Sequence, residues 1–289
     1  MLNDVKAKAV VTVRSSMYDD ILVATDGSNI AANAASMGIS LARRFGGEIH
    51  ALAIAEERRD NAARRSKREA DAEAIVAQAR QADCEADAVV RSGRPADEIP
   101  ATATEVGADL IVLGTHGRTG LSQALLGSVA LEVLREARQP VLTVGPDAAL
   151  EGPELDDVLL ATDGWSGSRA ATEHAISLAD SADARLHALY AVDVNFDAPE
   201  QREAFEEHGK KTMTAVADRA EERGVEVTRT VVDGSAHEVI LEYAADADVD
   251  LLVMGTESKT TLERLVVGSV SQRVVPNASV PVVTVRTID

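Results

Sequence analysis

The sequence predicts an α/β protein of two tandem Rossmann-like domains, each a five-stranded parallel sheet with helices on both faces. Three observations carry this reading. Short continuous apolar runs alternate with segments of helical pattern, which implies parallel strands joined by right-handed helical crossovers. The segment Asp-Ile-Leu-Val-Ala-Thr-Asp-Gly at Asp20–Gly27 recurs as Asp-Val-Leu-Leu-Ala-Thr-Asp-Gly at Asp157–Gly164, so that Asp26 and Asp163 stand 137 residues apart. Ala108–Thr115 and Gln139–Val144 recur as Val249–Thr256 and Val280–Val285, 141 residues on. A 289-residue chain that repeats itself in this way holds two domains of ordinary size.

The elements of the first repeat follow in order. Ile21–Ala24 is a continuous apolar run before Thr-Asp-Gly and suits a strand buried on both faces. Ala31–Phe45 reads as a helix stopped by Gly46-Gly47. Ile49–Ala55 is a second strand, and residues 57–82 are helical by propensity. Ala86–Arg91 is a third strand. Pro95–Val106 is a helix with proline in its first turn. Leu110–Leu113 is a fourth strand, followed by a glycine-rich loop, a helix over Ser128–Ala137 and a final strand at Val141–Val144. The second repeat has the same order. His50 matches His187 at the shorter offset and Gly93 matches Gly234 at the longer, so four extra residues enter the second repeat between these landmarks. Residues 1–16 read as an N-terminal extension, 17–146 as the first domain, 147–155 as a linker punctuated by Gly and Pro, and 156–289 as the second domain.

Composition narrows the function. Hydrophobic residues make up 45% of the chain, enough for a packed core, while aromatics at 2% leave that core to Val, Leu, Ile and Ala. The formal charge of -19 repels phosphate backbones and anionic lipid, which argues against nucleic-acid and membrane binding. No apolar run approaches the roughly 20 residues of a membrane helix, and no stretch reads as a signal peptide, so a cytoplasmic protein is expected. Cys84, the one cysteine, excludes an internal disulfide and a cysteine zinc site. Acid excess, six lysines and few aromatics resemble the proteins of salt-in halophiles, whose hydrated carboxylate surfaces stay soluble while salt screens repulsion.

The chemistry lies in the loops after strands one and four. Gly114, Gly117, Gly127 and Ser128 are spaced as G-x2-G-x9-G-S, with a helix opening at Gly127-Ser128. Glycine permits close approach of backbone N–H groups and positive φ. A helix N-terminus adds unpaired N–H groups and the positive end of the dipole, and together these make an anion cradle suited to phosphate. His116 and Arg118 lie inside this loop and are candidate phosphate contacts. Thr25 and Asp26 close strand one, the neighbour of strand four at the switch point of such sheets, where ligands bind. Asp26 disfavours phosphate. It suits hydrogen bonds from a base or sugar, or the N-cap of the following helix.

These residues together resemble the universal stress protein family. Ala-Thr-Asp-Gly-Ser after the first strand, Gly93-Arg-Pro-Ala-Asp-Glu-Ile99, Ala108–Gly114 and the glycine loop match its pattern, and the likeness runs twice through nearly the whole chain from Met17. The resemblance implies strand order 3-2-1-4-5 and ATP, with Mg²⁺ on its phosphates, as the bound cofactor. It implies an adenine side at Thr25, Asp26 and Ile54. Leu113, Gly114, Gly117, Gly127, Ser128 and Val129 would surround ribose and phosphates. It also implies a stress-response sensor or adaptor with at most slow ATP hydrolysis. The family dimerises, often through its last strand. Val141–Val144 and Val282–Val285 are therefore expected to pair within the chain as a pseudo-dimer, with a homodimer and a protein partner of unread identity beyond that.

A weaker second site is expected at Thr162, Asp163, Gly255, Ser258, Gly268 and Ser269. There Ser258 replaces the second glycine, Glu257 replaces His116, Lys259 replaces Arg118 and Trp165 replaces Ser28. Ser258 would carry a backbone cost if the position needs positive φ. A nucleotidyl-transfer enzyme would need a further motif such as His-x-Gly-His, and a nucleotide-free interaction module is the remaining alternative. The basic cluster Arg58, Arg59, Arg64, Arg65, Lys67 and Arg68 alternates with acids and reads as a solvated helix with ion pairs. His50 and His187 read as packing or hydrogen-bonding residues, and His174, His208 and His237 show no metal spacing.

Overall fold

The computed structural model describes residues 17–56, 62–117, 125–148, 155–192, 199–256 and 267–288. The expected extension 1–16 and most of the expected linker lie outside them, as do Arg58, Arg59, Arg118, Glu257, Ser258 and Lys259. The first half runs β1 (Asp20–Thr25), α1 (Asn29–Phe45), β2 (Glu48–Ala55), α2 (Ala62–Gln81), β3 (Ala86–Ser92), α3 (Pro95–Val106), β4 (Leu110–Gly114), α4 (Ser128–Glu136) and β5 (Val141–Val144). The second half repeats this as β6 (Asp157–Ala161), α5 (Arg169–Ala182), β7 (Arg185–Val192), α6 (Pro199–Glu221), β8 (Val227–Asp233), α7 (Ala236–Asp246), β9 (Leu251–Gly255), α8 (Ser269–Val274) and β10 (Val282–Val285).

All ten strands form one sheet, in the order β3-β2-β1-β4-β5-β10-β9-β6-β7-β8. Every pairing within a half is parallel, and the single antiparallel pairing joins β5 to β10, with Leu142 opposite Val283. The seam is reinforced by buried threonines: Thr143 Oγ1 donates to the Val282 carbonyl (3.1 Å) and Thr284 Oγ1 to the Val141 carbonyl (3.2 Å). Because the seam is antiparallel, the carboxyl edges of the two halves point to opposite sides of the sheet.

Alternation along the central strands divides the core into two layers. Ile21 and Val23 of β1 join one apolar cluster with α1, α2, α5 and α6, while Leu22 and Ala24 join a second with α3, α4, α7 and α8. The duplication is visible in the backbone. Among the described residues ten positions have positive φ, and they form five matched pairs: 27 with 164 and 46 with 183 at an offset of 137, then 83 with 224, 93 with 234 and 107 with 248 at 141. The buried face of α2 (Ala72, Ile75, Val76, Ala79) already matches that of α6 (Met213, Val216, Ala217, Ala220) at 141. The four extra residues of the second half therefore precede that face.

No described helix is long and apolar enough to cross a membrane. Cys84 is buried.

Candidate functional site

The carboxyl edge of the first half opens into a cleft of about 690 Å³ at the switch point between β1 and β4. Its floor begins where β1 ends. Thr25 Oγ1 accepts from the Gly27 N–H (3.0 Å), and Asp26 Oδ1 accepts from the Ser28 N–H (2.9 Å) in an Asx turn. Ser28 Oγ then accepts from the Ala31 N–H (3.2 Å). The cap of α1 is thus Ser28, not Asp26. That corrects the N-cap reading of the aspartate, whose other oxygen lies beside Gly117. A Cβ on Gly117 would sit 3.0 Å from Asp26 Oδ2.

The glycines of the second loop work by close approach. Gly114, Gly117 and Gly127 do not have positive φ. A Cβ on Gly114 would lie 2.7 Å from the Ile30 side chain, and one on Gly127 would lie 2.9 Å from the Thr115 carbonyl. Gly117, the counterpart of Ser258, does not use positive φ. Gly127 N–H closes the loop onto the Thr115 carbonyl (2.9 Å), and α4 starts at Ser128 with no side chain capping its first turn. Ser128, Val129 and Ala130 of its first turn, at the positive end of the helix dipole, border the cleft.

His116 borders the cleft and is largely buried. Its Nε2 bonds the Leu125 carbonyl and its Nδ1 the Thr115 hydroxyl (3.0 Å). A carbonyl only accepts, so Nε2 carries the proton and the ring clasps the loop from within. Both of its nitrogens are engaged within the loop.

Of the first-site residues expected from sequence, Thr25, Asp26, Ile54, Leu113, Gly114, His116, Gly117, Gly127, Ser128 and Val129 all border this one cleft. Arg118 lies outside the described residues.

In the second half the corresponding edge is built differently. Thr162 Oγ1 donates to Ser168 Oγ (2.9 Å), and Asp163 Oδ1 accepts from the Trp165 N–H (3.0 Å). The Trp165 ring stacks on His208 at 4.5 Å, and Tyr190 meets His208 edge-on at 5.8 Å. His208 Nε2 donates to the Asp163 carbonyl (3.0 Å). Trp165, Tyr190 and His208 correspond to Ser28, Ala53 and Lys67, so three rings stand where the first half has small or cationic side chains. Gly268 N–H bonds the Thr256 carbonyl (2.6 Å), repeating the loop closure, and Ser269 opens α8. Gly255 packs against Gly167 and its carbonyl accepts from Ser271 Oγ (2.9 Å). Ser258 lies outside the described residues.

One histidine cluster lies on the opposite, amino edge of the first half. Ligand atoms of Asp20, Glu48 and His50 lie within 4.8 Å of one another. His50 Nε2 meets Asp20 (2.8 Å) and Nδ1 meets Asp87 (2.5 Å), so both ring nitrogens are spent on carboxylates. Burial alone would lower the His50 pKa, but the hydrogen bonds to Asp20 and Asp87 raise it.

Comparison with known proteins follows the duplication. A family model described as the universal stress protein family matches residues 17–145 and again residues 154–286. The chain belongs to the universal stress protein family. A universal stress protein of Methanocaldococcus jannaschii is 37% identical over 137 residues, covering 45% of this chain and 81% of that one. A universal stress protein of Mycolicibacterium smegmatis is 34% identical over 186 residues, and the match spans 62% of each chain. A solved universal stress protein from Archaeoglobus fulgidus superposes with a TM-score of 0.72 over 95% of this chain and 98% of that one, at 20% identity, and so shares its fold.

Within this universal stress protein the cleft also contains residues that sequence reasoning left out. Leu52, Pro95 and Ile99 extend its apolar side. Arg64, Lys67 and Arg68 of α2 border the cleft as well, while the expected solvated, ion-paired face stands: Arg64 and Lys67 are exposed, and Lys67 and Arg68 pair with Asp71 four and three residues on. Arg68 Nη1 donates to the Asp26 carbonyl (2.5 Å) and to Asp71 Oδ2 (2.9 Å), and Lys67 pairs with Asp71 (3.0 Å). The available signal was their spacing. Positions 64, 67, 68 and 71 share one helix face, and Arg64 and Arg65 fall on different faces.

Proposed function

We propose that this universal stress protein binds an adenine nucleotide, ATP, in the cleft of its first half and acts as a stress-response sensor or adaptor. The observation that carries this reading is the pairing of two unlike ends in one cleft. One end is apolar, with Leu52, Ile54, Ile99 and Leu113, and suits a purine. The other is the glycine-closed loop and the uncapped start of α4, which suits phosphate. Asp26 borders the same cleft beside Gly117, and a carboxylate there suits a ribose hydroxyl. Thr25, Gly114, Gly117, Gly127, Ser128 and Val129 supply the backbone and small side chains around it.

In this reading Mg²⁺ arrives on the nucleotide phosphates, turnover is slow at most, and the protein works in the cytoplasm. Its two halves act as an intramolecular pseudo-dimer across the β5–β10 seam. The second half is the weaker site, because Trp165, Tyr190 and His208 crowd the edge where a base would enter. The halophile-like composition predicts that binding survives molar salt. The test is mass spectrometry of nucleotide released from freshly purified protein, with titration calorimetry of ATP. Adenine nucleotide at about one per chain supports the reading, and absence of both retained and added nucleotide rejects it in favour of a nucleotide-free interaction module.

A further inference from the structure

Resting on the adenine-nucleotide reading above, we propose that Arg68 of α2 is the positioning residue for Asp26, and that through it the cleft selects a ribonucleotide over its deoxy forms. Asp26 carries its carboxylate on the short loop between β1 and α1. The ladder from β1 to β2 ends at Thr25, so strand pairing no longer holds the chain there.

α2 supplies the hold. Arg68 Nη1 donates to the Asp26 carbonyl (2.5 Å) and to Asp71 Oδ2 (2.9 Å), three residues on along the helix. The Arg68 and Asp71 side chains are 15% and 12% exposed, so water and salt screen the pair little. Asp71 orients the guanidinium, whose planar fork fixes the direction of its donors. Gly27 has a φ of +75°, and a Cβ on it would lie 2.7 Å from the Asp71 carboxylate. Helix and loop therefore touch at two adjacent residues. With its backbone held by Arg68 and Oδ1 held by the Ser28 N–H (2.9 Å), the Asp26 carboxylate is set in one orientation beside Gly117.

The second half repeats the hold with other residues. His208 Nε2 donates to the Asp163 carbonyl (3.0 Å), and Thr212 stands in place of Asp71 against Gly164. His208 corresponds to Lys67, and Gly209 takes the place of Arg68. The anchored carbonyl recurs while the anchoring residue changes, which identifies the loop carbonyl as the point being held. In the first half the anchor and Asp26 border the same cleft. A carboxylate fixed in this way discriminates by hydroxyl, because a ligand lacking the hydroxyl leaves it without that partner.

The test uses the full chain and calorimetry with ATP, 2′-deoxy-ATP and 3′-deoxy-ATP. The native protein is expected to bind at least one deoxy form about tenfold more weakly than ATP, the scale of one hydrogen bond to a charged group. In Arg68→Ala that ratio is expected to fall below about threefold, and Arg68→Lys, which keeps a donor for the carbonyl, should restore most of it. Asp71→Asn loosens the guanidinium without removing it and should shrink the ratio in the same direction. An unchanged ratio in Arg68→Ala, or in Asp71→Asn where the alanine variant does not fold, overturns this inference while leaving nucleotide binding intact. Equal binding of all three ligands by the native protein overturns it as well. Failure of the native protein to bind any of the three overturns the nucleotide reading itself.

Discussion

The Tyr18 hydroxyl lies 2.8 Å from Nε2 of His174, and this hydrogen bond joins the start of β1 in the first half to α5 in the second. Tyr18 is fully buried, edge-on to Phe45, and burial holds its hydroxyl in the protonated, donating form. Burial also depresses the His174 pKa to about 4. The histidine is therefore neutral in the fold, and its Nε2 accepts a hydrogen bond from the tyrosine hydroxyl. Tyr18→Phe should destabilise the protein by about 1–2 kcal/mol, the cost of an unpaired buried polar group, as read by denaturant unfolding.

The same pair contributes to loss of stability in acid. A histidine whose folded pKa lies below its unfolded value near 6.5 binds more protons when unfolded. Stability should thus be independent of His174 above about pH 6.5 and fall progressively from there toward pH 4. Unfolding midpoints across that range check this, and His174→Gln should flatten the fall.

His50 acts in the opposite direction. Despite partial burial, its bonds to Asp20 and Asp87 raise its pKa in the fold, so the folded state binds the extra proton. Its contribution is fully present below the unfolded pKa of about 6.5 and is lost as pH rises through the higher folded value. NMR titration of the His50 ring should show the raised pKa, and His50→Gln should lose stability more at pH 6 than at pH 9.

Gly127 is expected to tolerate no side chain. Its backbone does not need positive φ, but a Cβ would stand 2.9 Å from the Thr115 carbonyl, a backbone atom that cannot swing away. Gly127→Ala should cost about 1–3 kcal/mol by overpacking and weaken ATP binding by opening the loop. Among the described residues Gly117→Ala meets the Asp26 carboxylate alone, so it should lower affinity with less effect on unfolding.

Much of this architecture was legible in the sequence, for definite physical reasons. Strands such as Ile21–Ala24 and Leu110–Leu113 are buried on both faces, so they appear as unbroken apolar runs, and two offsets exposed the duplication. The cleft residues near the strand ends were legible because glycine spacing marks close backbone contacts. The α2 wall was not, because Arg64, Lys67 and Arg68 alternate with acids and only the packing of α2 on β2 and β3 turns one face to the cleft. The inward turn of His116 depends on the Leu125 carbonyl, nine residues on, which no local pattern signals. The Trp165–His208 stack joins positions distant in the chain and emerges only from the tertiary fold.

The central claim is one strong nucleotide cleft, in the first half of a duplicated fold, and titration calorimetry of ATP into the full chain at high salt tests it most directly. The account predicts a stoichiometry of one ATP per chain, with no change in the emission of Trp165, which belongs to the second half. No heat of binding, or two equivalent sites per chain, would contradict it.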